Sequence, residues 1–205
     1  MDELIELFPT PVLLWRYNES IVSETQIVDS LEYMANGSSD NAIGNRKSKD
    51  SFVLEKNELK SIRDFIQKCL DEYAVRVLAT NQKLYITQSW CNKNKKGSKH
   101  HEHTHTNSLV SGVFYFKTNK SAPISFHKNI VTQMELNPIK YNHVNCNEFN
   151  MEVKSGELVL FPSTLRHSVP VNQGEDDRVS LSFNTFSKGI FGDETKLNYL
   201  SVGDK

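Results

Sequence analysis

The stretch ELVLFPSTLRHSVPV (157–171), with RVSLSFNTF (178–186) behind it, decides the fold. A short apolar run ends at a Pro-Ser turn, a second short run follows, and a third alternates polar and apolar residues. Short runs of period two, bounded by turn residues, are typical of antiparallel strands. Because successive side chains of a strand alternate in direction, one face of the last run is polar. Its members are Arg178, Ser180, Ser182 and Asn184.

Short runs with the same period of two residues continue towards the N-terminus as far as residue 83. The candidate strands are 83–90, 99–105, 109–116, 122–127, a piece near 131–136, 150–155, 157–162, 168–171 and 178–186. Short strands at this density indicate an antiparallel sandwich or barrel rather than a βαβ sheet. We therefore predict a mainly β chain, a double-stranded β-helix (jelly-roll, cupin-like), with its core at 83–187.

The N-terminal part has a different pattern. LFPTPVLLWRY (7–17) contains two prolines, which forbid a helix there and suit an edge strand within residues 1–18. Residues 19–82 are predicted to be helical, most clearly over about 57–79, with a polar loop at 35–45. We expect these helices to support the jelly-roll, residues 188–205 to form a tail, and the whole chain, 1–205, to be one domain.

Composition excludes several classes of protein. The chain has 205 residues, a net charge of −1, and 24 basic against 25 acidic side chains, which is unlike a general nucleic-acid binder. No run approaches the roughly 20 apolar residues of a membrane span, and the acidic start MDELIELFPTP is unlike a secretory signal. Three scattered cysteines do not make a disulfide framework. We expect a cytoplasmic protein.

Histidines are concentrated in one segment: His100, His101, His103 and His105 are four of the seven in the chain. Strand alternation predicts that His101, His103 and His105 share a face, opposite to His100, Glu102 and Thr104. From spacing alone, this segment is either a metal site or a solvated histidine-rich loop. His167 and, eleven residues later, Arg178 favour a metal site that also holds a dicarboxylate, because arginine binds carboxylates in a bidentate fork.

Several blocks of the sequence resemble a known family. They are LFPTPV (7–12), the Trp-Cys-Asn strand end at 90–92, HTHTNSLVSGVFYF (103–116), GELVLFPSTLRHSV (156–169) and RVSLSFNTF (178–186). Together they are similar to the family of 2-oxoglutarate- and Fe(II)-dependent dioxygenases, prolyl-hydroxylase-like in fold, that is common in marine bacteria and cyanobacterial phages. The resemblance covers about residues 7–187 and is strongest over 97–186.

The resemblance implies an iron centre and its co-substrate, 2-oxoglutarate. It makes His103, His105 and His167 the Fe(II) ligands and Arg178 the residue that binds the far carboxylate of 2-oxoglutarate. The superfamily has Asp or Glu as its middle ligand, whereas position 105 is His. The pair His100 and Glu102 is therefore an alternative.

Other residues have smaller expected roles. Asn107, Ser111 and Tyr115 are candidates for hydrogen bonds to the co-substrate, although a turn or packing role suits each of them equally. His101 is expected to support the ligands, contact the substrate or be solvated. No catalytic side chain is expected beyond the metal site.

The expected function is hydroxylation of an unidentified peptide or small molecule with release of succinate and CO₂. Two alternatives remain open at this point: a three-histidine iron dioxygenase that does not use 2-oxoglutarate, and a non-catalytic cupin-like metal-binding module. A homodimer is possible, since jelly-rolls of this group often pair. If the protein is phage-encoded, its location is the host cytoplasm.

Overall fold

The computed structural model of the protein describes residues 4–35, 44–129 and 137–203. These residues contain two α-helices, α1 (Val22–Asp29) and α2 (Lys60–Arg76), with short 3₁₀ turns at Val53–Glu55, Asn57–Leu59 and Glu194–Lys196. The strands are β1 (Leu13–Arg16), β2 (Tyr33–Ala35), β3 (Asn45–Ser48), β4 (Leu84–Asn94), β5 (His100–His103), β6 (Val110–Lys117), β7 (Ile124–His127), β8 (Glu148–Met151), β9 (Glu157–Pro162), β10 (Arg166–Val169), β11 (Arg178–Ser187), β12 (Gly189–Phe191) and β13 (Leu200–Val202). None of the described helices is long and apolar enough to cross a membrane.

Two antiparallel sheets form the body of the molecule. The main sheet has seven strands in the order β1-β9-β6-β11-β4-β3-β2, and the minor sheet has four in the order β5-β10-β7-β8. Val113 and Phe161 of the main sheet pack against Ile124 and Phe126 of the minor sheet, so the sheets face each other across a small apolar core. This arrangement confirms the predicted mainly β, double-stranded β-helix fold.

Helix α2 covers the outer face of the main sheet. Its apolar stripe, which includes Ile62, Ile66 and Leu70, is fully buried against Phe114 and Leu181 of the sheet. Complete burial of one such side chain contributes about 1.5–3 kcal/mol to stability. The helix therefore fixes the sheet from behind and leaves the opposite face free for the site.

The N-terminal part differs from its prediction in one respect. The proline-flanked segment does give an edge strand, β1, and the predicted helix at 57–79 is present as a 3₁₀ turn followed by α2. Strands β2 and β3, however, lie within the segment predicted to be helical, and they extend the main sheet beyond β4. Their sequences, YMA and NRKS, show no apolar alternation, so the period of the residues did not indicate these strands.

The predicted strands of the second half are present with shifted ends. Strands β8 and β10 begin at Glu148 and Arg166, a little earlier than the patterns at 150–155 and 168–171 suggested. The strand predicted near 131–136 lies outside the described residues. The shift of β10 matters for the site, because it places His167 within a strand.

Candidate metal centre and co-substrate pocket

The minor sheet brings the distant histidines together. Strands β5 and β10 run antiparallel, and His103 stands directly opposite His167. His105 follows β5 in an extended segment that is fixed by a hydrogen bond from its backbone N–H to the carbonyl oxygen of Ser163, at 3.0 Å. One ring nitrogen from each histidine lies within 4.8 Å of the others. The three imidazoles therefore converge on one point between the sheets.

Each of the three rings is oriented through its Nδ1 atom. His103 Nδ1 lies 2.8 Å from the carbonyl oxygen of His101, and His167 Nδ1 lies 2.9 Å from that of Leu165. Since a carbonyl oxygen only accepts, Nδ1 carries the proton in both rings and Nε2 carries the lone pair. His105 follows the same rule, with Nδ1 2.5 Å from Oδ1 of Asn184. Metal-binding histidines are held in this way in most metalloproteins.

The Nε2 atoms fit a metal ion. Nε2 of His105 and Nε2 of His167 are 3.2 Å apart, although both carry lone pairs and neither can donate to the other. Two nitrogens bound to one ion at a right angle, with bonds of about 2.1 Å, stand about 3 Å apart. A cation between them would remove the repulsion. The donor set suits a first-row transition metal.

Burial keeps these imidazoles neutral. Withdrawal from water lowers the pKa of His103 to about 4 and that of His167 to about 3, and it also lowers the pKa of His105. Neutral imidazole is the form that binds metals, so the lone pairs remain available at physiological pH. Trp90 stacks on His105, with ring centroids 5.7 Å apart, and shields that ligand from solvent.

The other residues of the histidine segment do not follow the alternation of side-chain direction that a regular strand would give. The pairing of β5 with β10 is irregular between His103 and His100, so the ring of His100 stacks on that of His103 with centroids 4.5 Å apart. His100 thus shares the face it was predicted to avoid. The carboxylate of Glu102 pairs with Arg166 and lies 3.9 Å from His127 Nδ1. Among the described residues, Glu102 belongs to neither histidine cluster that could hold a metal.

The polar face of β11 forms the wall opposite the histidines. Arg178 is 3 % exposed, and its Nη1 donates to Asn94 Oδ1 at 3.3 Å and to Ser180 Oγ at 3.1 Å. Its Nε has no partner in the described part of the chain. A buried guanidinium with a free donor indicates an anion partner, because an unpaired buried charge is costly.

A small cavity joins the two walls. It has a volume of about 30 Å³ and is lined by Arg178, by the three converging histidines and by His100. That space holds about one water molecule. In the described chain the ring of His100 makes no hydrogen bond, unlike the rings of the other three histidines that line this cavity.

The three predicted co-substrate contacts lie at different depths. Tyr115 is completely buried, the Arg178 guanidinium carbon lies 5.1 Å from its ring centroid, and burial raises its pKa to about 12. Its hydroxyl has no partner among the described residues. Ser111 instead bonds to Ser163 Oγ at 2.8 Å, and Asn107 is exposed in an outer cleft. The structure brings only Tyr115 to Arg178.

An open cleft leads from the histidines to the surface. Its volume is about 650 Å³, and its walls include His105, Trp90 and Asn184 on the inner side and Phe52 and Lys47 nearer the rim. None of the side chains that line it is acidic. Clefts of this size accommodate small organic molecules or a few residues of a peptide.

Two residues that shape the site were not singled out from the sequence. Asn184 was placed on the polar face of β11 but was not expected to hold His105, and Asn94 was not considered beside Arg178. The contact between Asn184 and His105 spans 79 positions of the chain. Only the alternating pattern of β11 pointed to Asn184, and no signal in the sequence pointed to Asn94.

Comparison with known proteins agrees with this geometry. Residues 88–184 match the family described as "Putative 2OG-Fe(II) oxygenase". The match covers 97 of the 205 residues, among them the histidine segment, His167 and Arg178. It indicates an oxygenase that depends on Fe(II) and 2-oxoglutarate, which favours that function over the two alternatives left open by the sequence. No curated protein matches the chain.

Solved structures with the same fold have little sequence in common with this oxygenase. A prolyl-4-hydroxylase from Pseudomonas putida is 12 % identical, with 88 % of this chain and 94 % of that chain covered and a TM-score of 0.60. HygX from Streptomyces hygroscopicus, solved with nickel, 2-oxoglutarate and hygromycin B, is 12 % identical, with 86 % and 82 % covered and a TM-score of 0.60. The alpha ketoglutarate-dependent epimerase SnoN from nogalamycin biosynthesis is 9 % identical, with 90 % and 82 % covered and a TM-score of 0.65. These likenesses establish the fold.

Proposed function

We propose that Nε2 of His103, His105 and His167 bind the Fe(II) of this oxygenase and that Arg178 binds the far carboxylate of 2-oxoglutarate. The observation that carries the proposal is the 3.2 Å separation of two Nε2 lone pairs, with every Nδ1 proton already donated to an oxygen. A shared cation satisfies both nitrogens at once.

The metal and co-substrate supply the oxidising chemistry: when bound, they activate O₂, oxidise the substrate and leave succinate and CO₂. The contribution of the chain is placement and exclusion of water. Phe161 packs edge-on against His167, with centroids 4.8 Å apart, so the ligand set is closed off on the side of the apolar core. The open side faces the cleft.

Charge favours the dianionic co-substrate. Three neutral imidazoles leave the full charge of Fe(II) uncompensated by protein, and Arg178 adds a further buried positive charge. Both carboxylates of 2-oxoglutarate would thus find a cation at a suitable end of the pocket. Because the cavity is about the size of one water molecule, binding of 2-oxoglutarate requires side chains that line it to move.

The substrate is proposed to be a small molecule or a short peptide segment that binds in the open cleft. The solved prolyl hydroxylase from Trichoplax adhaerens holds a peptide fragment, and HygX holds hygromycin B, so the shared fold accommodates either kind. The polar lining, with the aromatic rings of Trp90 and Phe52, suits a hydroxylated or amide-bearing substrate whose apolar part lies on Trp90.

The proposed location, origin and oligomeric state of the protein rest on its sequence. A cytoplasmic location is supported by the scattered cysteines, and a phage origin by the family resemblance alone. Treatment of 1–205 as one domain is supported by a main sheet whose strands extend from Leu13 to Ser187. A homodimer is proposed by analogy with other jelly-rolls. For Asn107 and Ser111 a co-substrate contact remains a proposal that their positions do not favour.

An anaerobic titration tests the central assignment. Fe(II) is added to the purified protein, and then 2-oxoglutarate; we expect a visible charge-transfer band that appears only with both. His167→Ala should abolish the band, whereas His143→Ala, at an exposed histidine paired with Glu6, should leave it intact. Persistence of the band in His167→Ala would show that the ligand assignment is wrong.

A further inference from the structure

A second group of three histidines lies beside the first. One ring nitrogen from each of His100, His101 and His103 lies within 4.8 Å of the others. All three side chains are partly exposed, whereas the first group includes the buried His167. We propose that these three residues form a second, outer binding position for a divalent transition metal, distinct from the iron centre.

The ring arrangement supports this outer position. The centroids of His100 and His101 are 5.2 Å apart, and those of His101 and His103 are 5.1 Å apart. Nδ1 of His101 is inaccessible to solvent and has no partner among the described residues, although a buried ring nitrogen normally has one. The irregular pairing of β5 with β10 makes the group possible, because it turns His100 towards His103.

The two positions exclude each other. His103 belongs to both groups, and its Nδ1 donates to the carbonyl oxygen of His101, so Nε2 is its one free ligand atom. An ion in the outer position therefore takes from the iron centre one of its three ligands. This exclusion, unlike the outer position itself, rests on the proposed role of His103 in the iron centre.

The chemistry of the outer group selects the kind of ion. Three neutral imidazoles with no carboxylate suit Co(II), Ni(II) and Zn(II), and at a given nitrogen site Fe(II) binds more weakly than Co(II) or Ni(II). Partial exposure leaves room for water to complete the coordination. The outer position thus captures a competing metal at the mouth of the iron centre.

Co(II) binding to the metal-free protein tests the proposal, with the visible absorption of Co(II) as the readout. The wild type should bind one ion. His167→Ala, which removes an inner ligand, should still bind one ion through the outer group. Adding His101→Ala to that variant should weaken Co(II) binding by at least about tenfold, as should His103→Ala alone, which removes the shared ligand.

Two ions bound tightly by the wild type would overturn the exclusion of one position by the other. Co(II) binding to His167→Ala that is unaffected by His101→Ala would overturn the outer position. If His167→Ala does not fold, as judged by circular dichroism, His105→Ala serves instead, because His105 lies outside the strands. His101→Ala alone tests the iron centre separately. It should retain one Co(II) ion and 2-oxoglutarate binding, and failure there contradicts the proposed function without deciding the outer position.

Discussion

Asn184 Oδ1 lies 2.5 Å from Nδ1 of His105 and accepts a hydrogen bond from it. The amide stands on the long strand β11 of the main sheet, whereas His105 lies outside the strands and has one backbone hydrogen bond, to Ser163. The rigid sheet thus fixes the direction of the least constrained ligand. Asn184 is also within 3.3 Å of Ser111 Oγ, which holds the amide in this orientation.

Asn184→Leu should therefore weaken metal binding. The substitution leaves the Nδ1 proton of His105 without an acceptor and frees the ring to turn, and loss of such a partner typically costs 10- to 100-fold in metal affinity, roughly. Asn184→Asp keeps an acceptor and should retain binding. Asn145→Leu, at an exposed asparagine outside both cavities, is the control. Equal Co(II) affinity in Asn184→Leu and the wild type would contradict a positioning role.

Much of the fold and of the candidate site could be predicted from the sequence, because short local patterns of residues indicate them. Alternating strands predicted the sheet-rich fold, and the spacing of His103, His105, His167 and Arg178, with the family resemblance, predicted a set that the structure brings together. What the sequence could not indicate depends on tertiary pairing. The irregularity in β5 that turns His100 inward has no residue signature, and strands β2 and β3 form because β4 offers them an edge.

Arg178→Ala should weaken the binding of the co-substrate and leave the binding of the metal nearly unchanged. Two charge-assisted hydrogen bonds to the carboxylate contribute about 3 kcal/mol together, so the affinity for 2-oxoglutarate should fall by about 100-fold. None of the proposed metal ligands is removed, so Co(II) affinity should stay within about threefold of wild type by the usual context-dependence of such effects. Isothermal titration measures both, and Arg76→Ala, at an exposed position of α2, is the matched control. A parallel loss of metal affinity would show that Arg178 is not a dedicated co-substrate residue.

Tyr115→Phe should weaken the binding of 2-oxoglutarate without destabilising the protein. The hydroxyl is buried and has no partner in the described chain, so its removal costs no hydrogen bond and relieves a desolvated group. Thermal unfolding of the metal-free variant should therefore occur at or above the wild-type Tm. If the hydroxyl donates to the co-substrate carboxylate beside Arg178, the affinity for 2-oxoglutarate should fall by about tenfold, the value of one hydrogen bond to a charged group. A lower Tm with unchanged affinity would mean that Tyr115 has a packing role alone.

Gly112→Ala should destabilise the main sheet, whose strand β11 carries the polar wall. A Cβ at this position would lie 2.1 Å from Cζ of Phe183 and 2.6 Å from Cδ2 of Leu160, both of which are fully buried in the core beneath α2. Overpacking of this kind costs typically about 1–3 kcal/mol, since the buried side chains of Phe183 and Leu160 must move to make room. Denaturant unfolding should show a lower midpoint with the same slope. Gly97→Asn is the control, because no atom lies within 4 Å of its added Cβ and asparagine tolerates the positive φ of +78°. An unchanged midpoint for Gly112→Ala would mean that the sheet accepts the methyl group by a small shift, and that close packing of β6 against Phe183 does not limit stability.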